Sequence, residues 1–549
     1  MIVIGAIFLA LRLPGISLPF HQDEWKNVSA SATAEGAGHF FAHPPLMQMI
    51  FVADYKLFGQ GGFRALPLLF SIGAGVLLYA VVSRRAGKRA AAWATGLFAL
   101  CFYNVFGSLQ ADVDGAILPF FFLLAVYFYD KWAMGSGKKW FGLFALALLA
   151  GFLIKLSFII VIGAFIVDHL WTHRRERLGR HTAIAAAWTA GFGLAYVAIL
   201  YLIQAAYPAF SISFMLGHAD QYAGTAGRNW MQILVQVAKA VYYLSPLLLV
   251  PMLFMSREAL RRMRVFAAYL ALGLAFYLVI FDFSQGALDK YLMFAIVPLS
   301  ALAGTILSAA FRMPGQKEGE DAARNFPAGA IVAGLLLAVA LVSLNFLPQS
   351  VAALYPKTEW FSRVLHGQWN VLTPLTGGSG PVGFYVSFLF IAASYISSIA
   401  IGVAALVKKQ WKVGALVMII ISGISYNLIF AEELMFGRLN GSSAYVMSRS
   451  VAFIAKDADI SKVLTYNDIG NMELSAIGKY SGRFYAAPGF EEGHKERFAG
   501  NRYYMVIDIP HLYESGFYGS YFSQCSPIFG AFSGHITGKV YDCQNAKIK

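Results

Sequence analysis

The sequence predicts an α-helical polytopic membrane protein with a small α/β domain at its C-terminal end. Of its 549 residues, 58% are hydrophobic and only 13% are charged, and the mean hydropathy is +0.60. Soluble globular domains do not have this composition. Long apolar runs recur through the first 434 residues, and after Leu434 short strand-like segments replace them. The bilayer is therefore the expected solvent for most of the chain.

Thirteen membrane spans are predicted, because a spanning helix needs roughly 17–25 predominantly apolar residues. Ten runs are clear: 65–83, 90–108, 115–131, 182–203, 237–255, 265–283, 291–311, 327–347, 384–407 and 413–431. Residues 1–14 lack the charged flank and cleavage site of a signal peptide and are taken as a first span. The run from 140 to 170 is interrupted by Lys155 and is split into two short helices with the lysine at their turn.

The distribution of basic residues predicts the orientation of these spans. Lys and Arg cluster after every even-numbered span, in the segments 84–89, 131–139, 174–180, 257–264, 312–324 and 408–412. Such segments stay on the cytoplasmic side. The N-terminus is therefore expected inside and the C-terminus outside, as in a multi-pass protein of the bacterial cytoplasmic membrane. The net charge of +14 is explained by these loops, so no nucleic-acid partner is predicted.

The chain divides into a transmembrane domain, residues 1–434 with outer loops 15–64 and 204–236, and an extracytoplasmic α/β domain, residues 435–549. Within the second domain, 462–466 (KVLTY) and 502–509 (RYYMVIDI) are predicted strands, with a helix around 472–480. Cys525 and Cys543 are 18 positions apart and lie on the predicted oxidising side. A disulfide between them is predicted, worth about 3 kcal/mol, and two free thiols are the alternative.

The first outer loop carries an adjacent pair of carboxylates, Asp23 and Glu24, just beyond the first span. A charged oxygen at the bilayer surface suits a general base or a metal ligand, whereas the ordinary alternative is a solvated loop. Further along, His43 precedes two prolines, Pro44 and Pro45, in a rigid turn that can aim a histidine inward. A lone histidine is more often structural.

Acids and lysines also lie at the outer ends of later spans. Asp112 and Asp114 occupy a very short turn between two spans, where acids are costly unless they face a polar cavity or a cation. Lys155 lies in a hairpin, and Lys290 lies at the outer start of the tenth span. Lysines near span ends also snorkel without function. Taken together, these groups suit a lipid substrate that bears a phosphate.

The chain resembles the ArnT-like and protein O-mannosyltransferase-like families, polytopic glycosyltransferases of the GT-C fold. The resemblance covers roughly residues 1–310 and rests on an ordered set of short motifs. These are Asp23-Glu24, His43-Pro44-Pro45-Leu46, Phe58-Gly59, Arg64 to Pro67, Arg84 to Gly87, Asp112 and Asp114 followed by Phe120 to Phe122, Gly151 to Lys155, and Lys290-Tyr291 ahead of Pro298.

The resemblance implies transfer of a sugar from a polyprenyl-phosphate donor, with inversion at the anomeric carbon. It also implies an essential acid in the first outer loop, which maps to Asp23 with Glu24 beside it. The acid of the second turn maps to Asp114, and Asp112 stays open. His43, Arg64, Lys155, Lys290 and Tyr291 complete the expected substrate-binding set.

A divalent metal is left open as a cofactor. Members of the ArnT type carry an acid and a lysine before the proline, whereas this chain has Ala42 and His43. Its candidate metal ligands are therefore His43 and His218.

Two other functions compete with glycosyl transfer. A transporter or flippase of lipid-linked sugars should show internal repeats and polar groups near the bilayer midplane, whereas the ionisable residues here collect at the outer ends of the spans. A non-catalytic scaffold is the second alternative. The expected acceptor is lipid A, its core sugars, another glycolipid or an envelope polysaccharide, with a secreted protein as an alternative.

Overall fold

The structure is a computed structural model, and it describes residues 2–20, 22–32, 42–135, 137–174, 178–223, 228–282, 289–312, 327–351, 362–375, 383–466, 470–484, 498, 502–508 and 516–547. Most of the first 435 residues are helical. The helices are α1 Ile2–Ala10, α2 Gln22–Ala32, α3 Pro45–Phe58, α4 Ala65–Ala86, α5 Lys88–Leu100, α6 Phe102–Ser108, α7 Leu118–Ala133, α8 Lys138–Ile154, α9 Ile159–Thr172, α10 Leu178–Ala206, α11 Ile212–Asp220, α12 Trp230–Leu249, α13 Arg257–Arg262, α14 Arg264–Ala275, α15 Ile296–Ala310, α16 Ala328–Ser343, α17 Phe388–Val407 and α18 Lys412–Met435.

The polytopic helical architecture predicted from the sequence is confirmed. Over the described residues, eight helices are long and apolar enough to cross a membrane, or nine if α5 and α6 form one bent span. Shorter apolar helices at Ile2–Gly15, Leu156–Thr172 and Arg264–Ile280 coincide with three more predicted spans. Lys155 separates α8 from α9, as the split of the long run predicted.

The third predicted span is broken rather than straight. Helices α5 and α6 meet at Cys101 with a bend of 65°. A second break lies inside α12, where Ser245 has a φ of 64° ahead of Pro246. The side chain of Asn427 on α18 serves both breaks, because it accepts a hydrogen bond from the Phe102 amide and donates one to Ser245 Oγ.

A small sheet lies just before α17. It orders β1 Ser350–Val351, β2 Val371–Leu375 and β3 Phe384–Ser387, with β2 and β3 antiparallel. The prediction of a span beginning at residue 384 was therefore wrong for its first turn. Alternate side chains of the β2–β3 hairpin pack in different cores: Leu375 and Phe384 against the transmembrane helices, and Leu372 and Tyr385 against the C-terminal domain.

The C-terminal region after α18 contains a five-stranded sheet in the order β5, β4, β6, β8, β7. Its strands are β4 Val463–Tyr466, β5 Tyr480–Phe484, β6 Tyr503–Asp508, β7 Ser526–Ser533 and β8 Ile536–Asp542, and its helices are α19 Ser443–Lys456, α20 Asn471–Ala476 and α21 Gly516–Phe522. The small α/β fold is confirmed, with β4 and β6 at the two predicted strands. A disulfide joins Cys525 to Cys543.

Candidate functional site

Two lysine–aspartate pairs lie side by side at the predicted outer ends of the helices. Lys290 donates a hydrogen bond to Asp112, and Lys155 Nζ lies 2.5 Å from Asp114 Oδ2. Asp112 and Asp114 are 3% and 6% exposed, and Lys290 is 8% exposed. Buried charges are costly unless they are paired, so these four groups form one electrostatic unit.

The backbone is irregular at every member of this unit. Asp112 caps a π-helical turn, Val113–Ile117, and accepts a hydrogen bond from the Val113 amide. Lys155 has extended backbone between α8 and α9, and Lys290 lies in a 3₁₀ segment, Asp289–Ala295. Irregular backbone at membrane depth is tolerated where it is buried in protein or lines a cavity. These irregular segments bring the side chains of the two aspartates and the two lysines together.

A close glycine contact fixes the turn that carries both aspartates. A Cβ added to Gly115 would lie 2.4 Å from the Cα of Gly107, so no larger residue fits between α6 and the π-helical turn. The position of Asp114 therefore depends on its neighbour being glycine.

Tyrosines surround the pair of Lys155 and Asp114. The Nζ of Lys155 lies 4.8 Å from the centre of the Tyr291 ring, and Tyr277 stacks on Tyr291 at 5.6 Å. Asp114, Ser157, Tyr277 and Tyr291 line a small cavity of about 10 Å³. The aromatic faces can stabilise a cation such as the Lys155 ammonium.

His43 lies beside this unit. Burial, followed by the charges of Lys155 and Lys290, lowers the pKa of His43 to about 3, and the nearby Asp112 raises it by less. Its imidazole is therefore neutral at physiological pH. The ring of His218 lies 5.8 Å away, centre to centre, and burial also lowers the pKa of His218, with a smaller contribution from Lys26.

A metal ion at His43 and His218 stays a prediction. The two rings offer two nitrogen ligands, and the carboxylates beside them are paired with lysines. Within the described parts of the chain, a group of three ligand atoms close enough for a metal is found, but it lies elsewhere.

Glu24 and Arg64 form a third ion pair, apart from the two lysine–aspartate pairs. The guanidinium donates Nε and Nη2 to the two carboxylate oxygens at 2.7 and 2.8 Å, and Nη1 donates to the carbonyl oxygens of Gly15, Ile16 and Leu18. All three nitrogens of Arg64 therefore have protein acceptors. These contacts join Arg64 to the first outer loop, and its predicted contact with substrate stays a prediction.

Helix α2 is joined to the turn that precedes Asp112. Glu24 accepts a hydrogen bond from the Ala111 amide, and Asn27 donates one to the Ala111 carbonyl, each at 2.8 Å. Asp23 lies in the same helix, next to Glu24, although its side chain lies outside the described residues. The structure thus brings the first outer loop to the aspartate turn, as the predicted constellation requires.

Sequence reasoning missed Tyr277, Asn27 and the Gly107–Gly115 contact. Asn27 could have been found, because it lies one helical turn after Asp23. Tyr277 and the glycine contact leave no local signal, since both depend on packing between segments distant in the sequence.

Comparisons with known proteins agree with this architecture. Residues 42–202, which include His43, Arg64, Asp112, Asp114 and Lys155, match the model of a family described as dolichyl-phosphate-mannose-protein mannosyltransferase. No protein of curated function matches the sequence significantly.

Two crystal structures of ArnT from Cupriavidus metallidurans share the fold. The apo structure aligns with a TM-score of 0.53 and 15% identity, over 100% of this chain and 99% of that one. The structure bound to undecaprenyl phosphate aligns with a TM-score of 0.50 and 14% identity, over 98% of this chain and 97% of that one. The resemblance to GT-C proteins is thereby confirmed, and identity at this level establishes the fold alone.

Proposed function

We propose that this protein transfers a sugar from a polyprenyl-phosphate donor to a cell-envelope acceptor at the outer face of the bacterial cytoplasmic membrane. The observation that carries the proposal is the pair of buried lysine–aspartate contacts, Lys290 with Asp112 and Lys155 with Asp114. The crystallised ArnT that shares the fold is bound to undecaprenyl phosphate, and the matched family is named for a lipid-phosphate mannose donor.

The lysines suit the charge change of this reaction. A polyprenyl phosphate sugar carries one negative charge on its phosphodiester, and the departing polyprenyl phosphate carries up to two. An ammonium has three N–H donors, so a lysine can hold an aspartate and a phosphate oxygen together. Groups that meet developing charge in a preorganised, water-poor site lower the barrier most.

The reaction also requires a protein group that acts on the acceptor. The acceptor oxygen attacks the anomeric carbon while the bond from that carbon to the phosphate oxygen breaks, and the bonding electrons leave with the phosphate. Positive charge develops on the sugar, as in glycosidases. We assign Asp23 to take the proton of a hydroxyl acceptor, with inversion at carbon, and Glu24 to position the loop through Arg64. If the acceptor is itself a phosphate, no proton is taken and Asp23 stabilises the sugar cation.

The predicted position of the site supports a proposal for the acceptor class. A site at the outer ends of the spans meets lipids and glycans of the envelope, so lipid A, its core sugars, another glycolipid or a polysaccharide is proposed. A secreted protein is the alternative, in keeping with the name of the matched family.

The test uses purified protein, a panel of radiolabelled polyprenyl-phosphate sugars and an envelope-lipid extract. Wild type is compared with Asp23→Asn and with Asp459→Asn, which changes an exposed acid of the C-terminal domain. Transfer from one donor that is lost in Asp23→Asn and kept in Asp459→Asn is the expected result. Binding of the donor with no transfer or hydrolysis by any form would overturn the proposal in favour of a carrier or flippase.

A further inference from the structure

Three histidines meet at the end of the helix bundle that the basic loops predict to be cytoplasmic. His169 lies in the last turn of α9, His173 follows that helix, and His181 lies in the first turn of α10. One nitrogen from each ring lies within 4.8 Å of the others, and all three residues are half-buried. This cluster has no part in the glycosyl-transfer site.

The geometry of the cluster is close to that of a metal site. Zinc binds histidine nitrogens at about 2.0–2.1 Å in a tetrahedron, which places neighbouring nitrogens roughly 3.3–3.4 Å apart. His181 Nδ1 already lies 3.3 Å from His169 Nε2. The ring of His173 stacks on that of His181, with ring centres 4.1 Å apart, so binding of the third nitrogen requires a rotation of the His173 side chain. Three imidazole ligands suit Zn²⁺, Cu²⁺, Ni²⁺ or Co²⁺ rather than Mg²⁺ or Ca²⁺.

One side of the cluster is held firmly. Asp168, next to His169, accepts a hydrogen bond from Tyr129 and pairs with Arg264 at 3.2 Å. Arg264 also donates a hydrogen bond to Thr172 at 3.0 Å. The histidine-bearing end of α9 is therefore fixed to α7 and α14 before any metal binds.

The α10 side of the cluster is less buried. Most side chains of α10 are exposed within the chain, and the two that are buried, Tyr196 and Leu200, lie near its far end. A metal shared by His169, His173 and His181 would fasten the near end of α10 to α9. The guanidinium of Arg174 stacks over the Trp171 ring at 4.7 Å.

We propose that His169, His173 and His181 form a site for a divalent transition-metal ion, typified by Zn²⁺, that clips α10 to α9. The three imidazoles supply three ligands and leave the fourth position to solvent. The alternative is a hydrogen-bonded group of imidazoles that binds no metal.

The test is a titration of the full chain, purified without a polyhistidine tag and stripped with a chelator. Co²⁺ is added as a visible probe in place of Zn²⁺. We expect its d–d absorption to rise to one equivalent per chain and to be displaced by Zn²⁺, and we expect Zn²⁺ to raise the thermal midpoint of unfolding.

Matched variants separate the site from general histidine binding. Loss of an outer-shell partner weakens metal sites by about 10–100-fold, so loss of a ligand in His169→Ala or His181→Ala should weaken Co²⁺ binding by at least about 100-fold. His366→Ala is the control, because His366 is exposed and its ring bonds to the Ser362 carbonyl. His173→Cys should keep the ion and add a sulfur-to-cobalt band in the near ultraviolet, a result that a merely structural histidine would not give.

Three results would overturn the inference. The first is the absence of Co²⁺ binding by the wild type, the second is Co²⁺ binding that survives His181→Ala unchanged, and the third is binding that is lost in the His43→Gln, His218→Gln double variant instead. Because the readout is metal binding and unfolding, it does not depend on whether glycosyl transfer is detected.

Discussion

Two kinds of cation, arginine and lysine, pair with acids at the ends of the helix bundle. At the predicted cytoplasmic end, Arg85 holds Asp130 with contacts of 2.5–3.2 Å, and Arg264 holds Asp168, so regular helices are joined in pairs. At the predicted outer end, Lys155 and Lys290 hold their aspartates at breaks in the backbone. A guanidinium forms a planar fork that fits one carboxylate, whereas an ammonium is a compact charge with donors in several directions.

The choice between arginine and lysine follows the role of the ion pair, structural or catalytic, rather than the side of the membrane. Glu24 and Arg64 lie at the predicted outer end, yet they follow the arginine pattern, with a two-point contact and further bonds to backbone carbonyls. Arginine pairs are therefore expected to hold the fold, and lysine pairs to meet substrate.

The largest expected effect comes from exchanging one pair of each kind for neutral residues. Asp114→Asn with Lys155→Gln removes a donor to the leaving phosphate, so we expect the transfer rate to fall by about 10²–10³-fold. Asp130→Asn with Arg85→Gln should leave the rate per folded molecule unchanged. Double variants are used because removing only one partner leaves an unpaired buried charge, which destabilises the fold by about 3–5 kcal/mol. Equal losses in initial rate for the two variants would refute the distinction.

A smaller loss of transfer activity is expected when the turn that carries Asp112 and Asp114 is displaced without any change in charge. Gly115→Ala places a Cβ against the Gly107 backbone, and a shift of about 1 Å in a reacting group can lower activity about 10²-fold. Gly96→Ala is the matched control, because no atom lies within 4 Å of its added Cβ. The control should keep full activity and gain about 0.5–1 kcal/mol from helix propensity. Initial rates and thermal unfolding measure both variants.

The structural role of arginine pairs can be tested by measuring the stability of an Arg64 variant. Arg64→Ala leaves Glu24 buried without its partner, and we expect a loss of about 3–5 kcal/mol in the free energy of unfolding. Arg261→Ala breaks an exposed pair with Glu258, worth at most about 1 kcal/mol. Denaturant unfolding in detergent compares them. A loss for Arg64→Ala no larger than that of Arg261→Ala would argue against the assignment.

The last prediction concerns the pH dependence of stability. The pKa of His43 falls from 6.5 to about 3 in the fold, so below pH 6.5 the unfolded chain binds a proton that the folded chain does not. Stability therefore falls as pH drops from about 6.5 toward 3 and is fully present above 6.5. His43→Gln should flatten this dependence, measured as the thermal midpoint against pH. An unchanged slope would show that other groups set it.

Much of the fold was predictable because its signals are local. Apolar runs predicted the helices, and Lys155 predicted the break between α8 and α9, since a lysine is costly in the middle of a span. The strands at 371–375 and 384–387 were missed, because one is short and the other continues directly into the apolar run of α17.

The candidate site was predictable as a set of residues but not as a set of contacts. Asp112 and Asp114 stand out in a short turn, yet the partner of each is 178 and 41 positions away. Glu24 and Arg64 were both predicted site residues, and the sequence did not indicate that they bond to each other. Sequence reveals which charges are unusual, while packing decides which of them meet.

The β2–β3 hairpin has a consequence for exchanging parts between related proteins. Its residues are divided between two hydrophobic cores, and Ser443 and Asn440 bond to the carbonyls of Gly383 and Tyr385. A chimera joined at residue 435 would graft a foreign domain onto a surface shaped for the original one. The structural unit is discontinuous in sequence, so a folded chimera must exchange residues 371–387 together with residues 435–549.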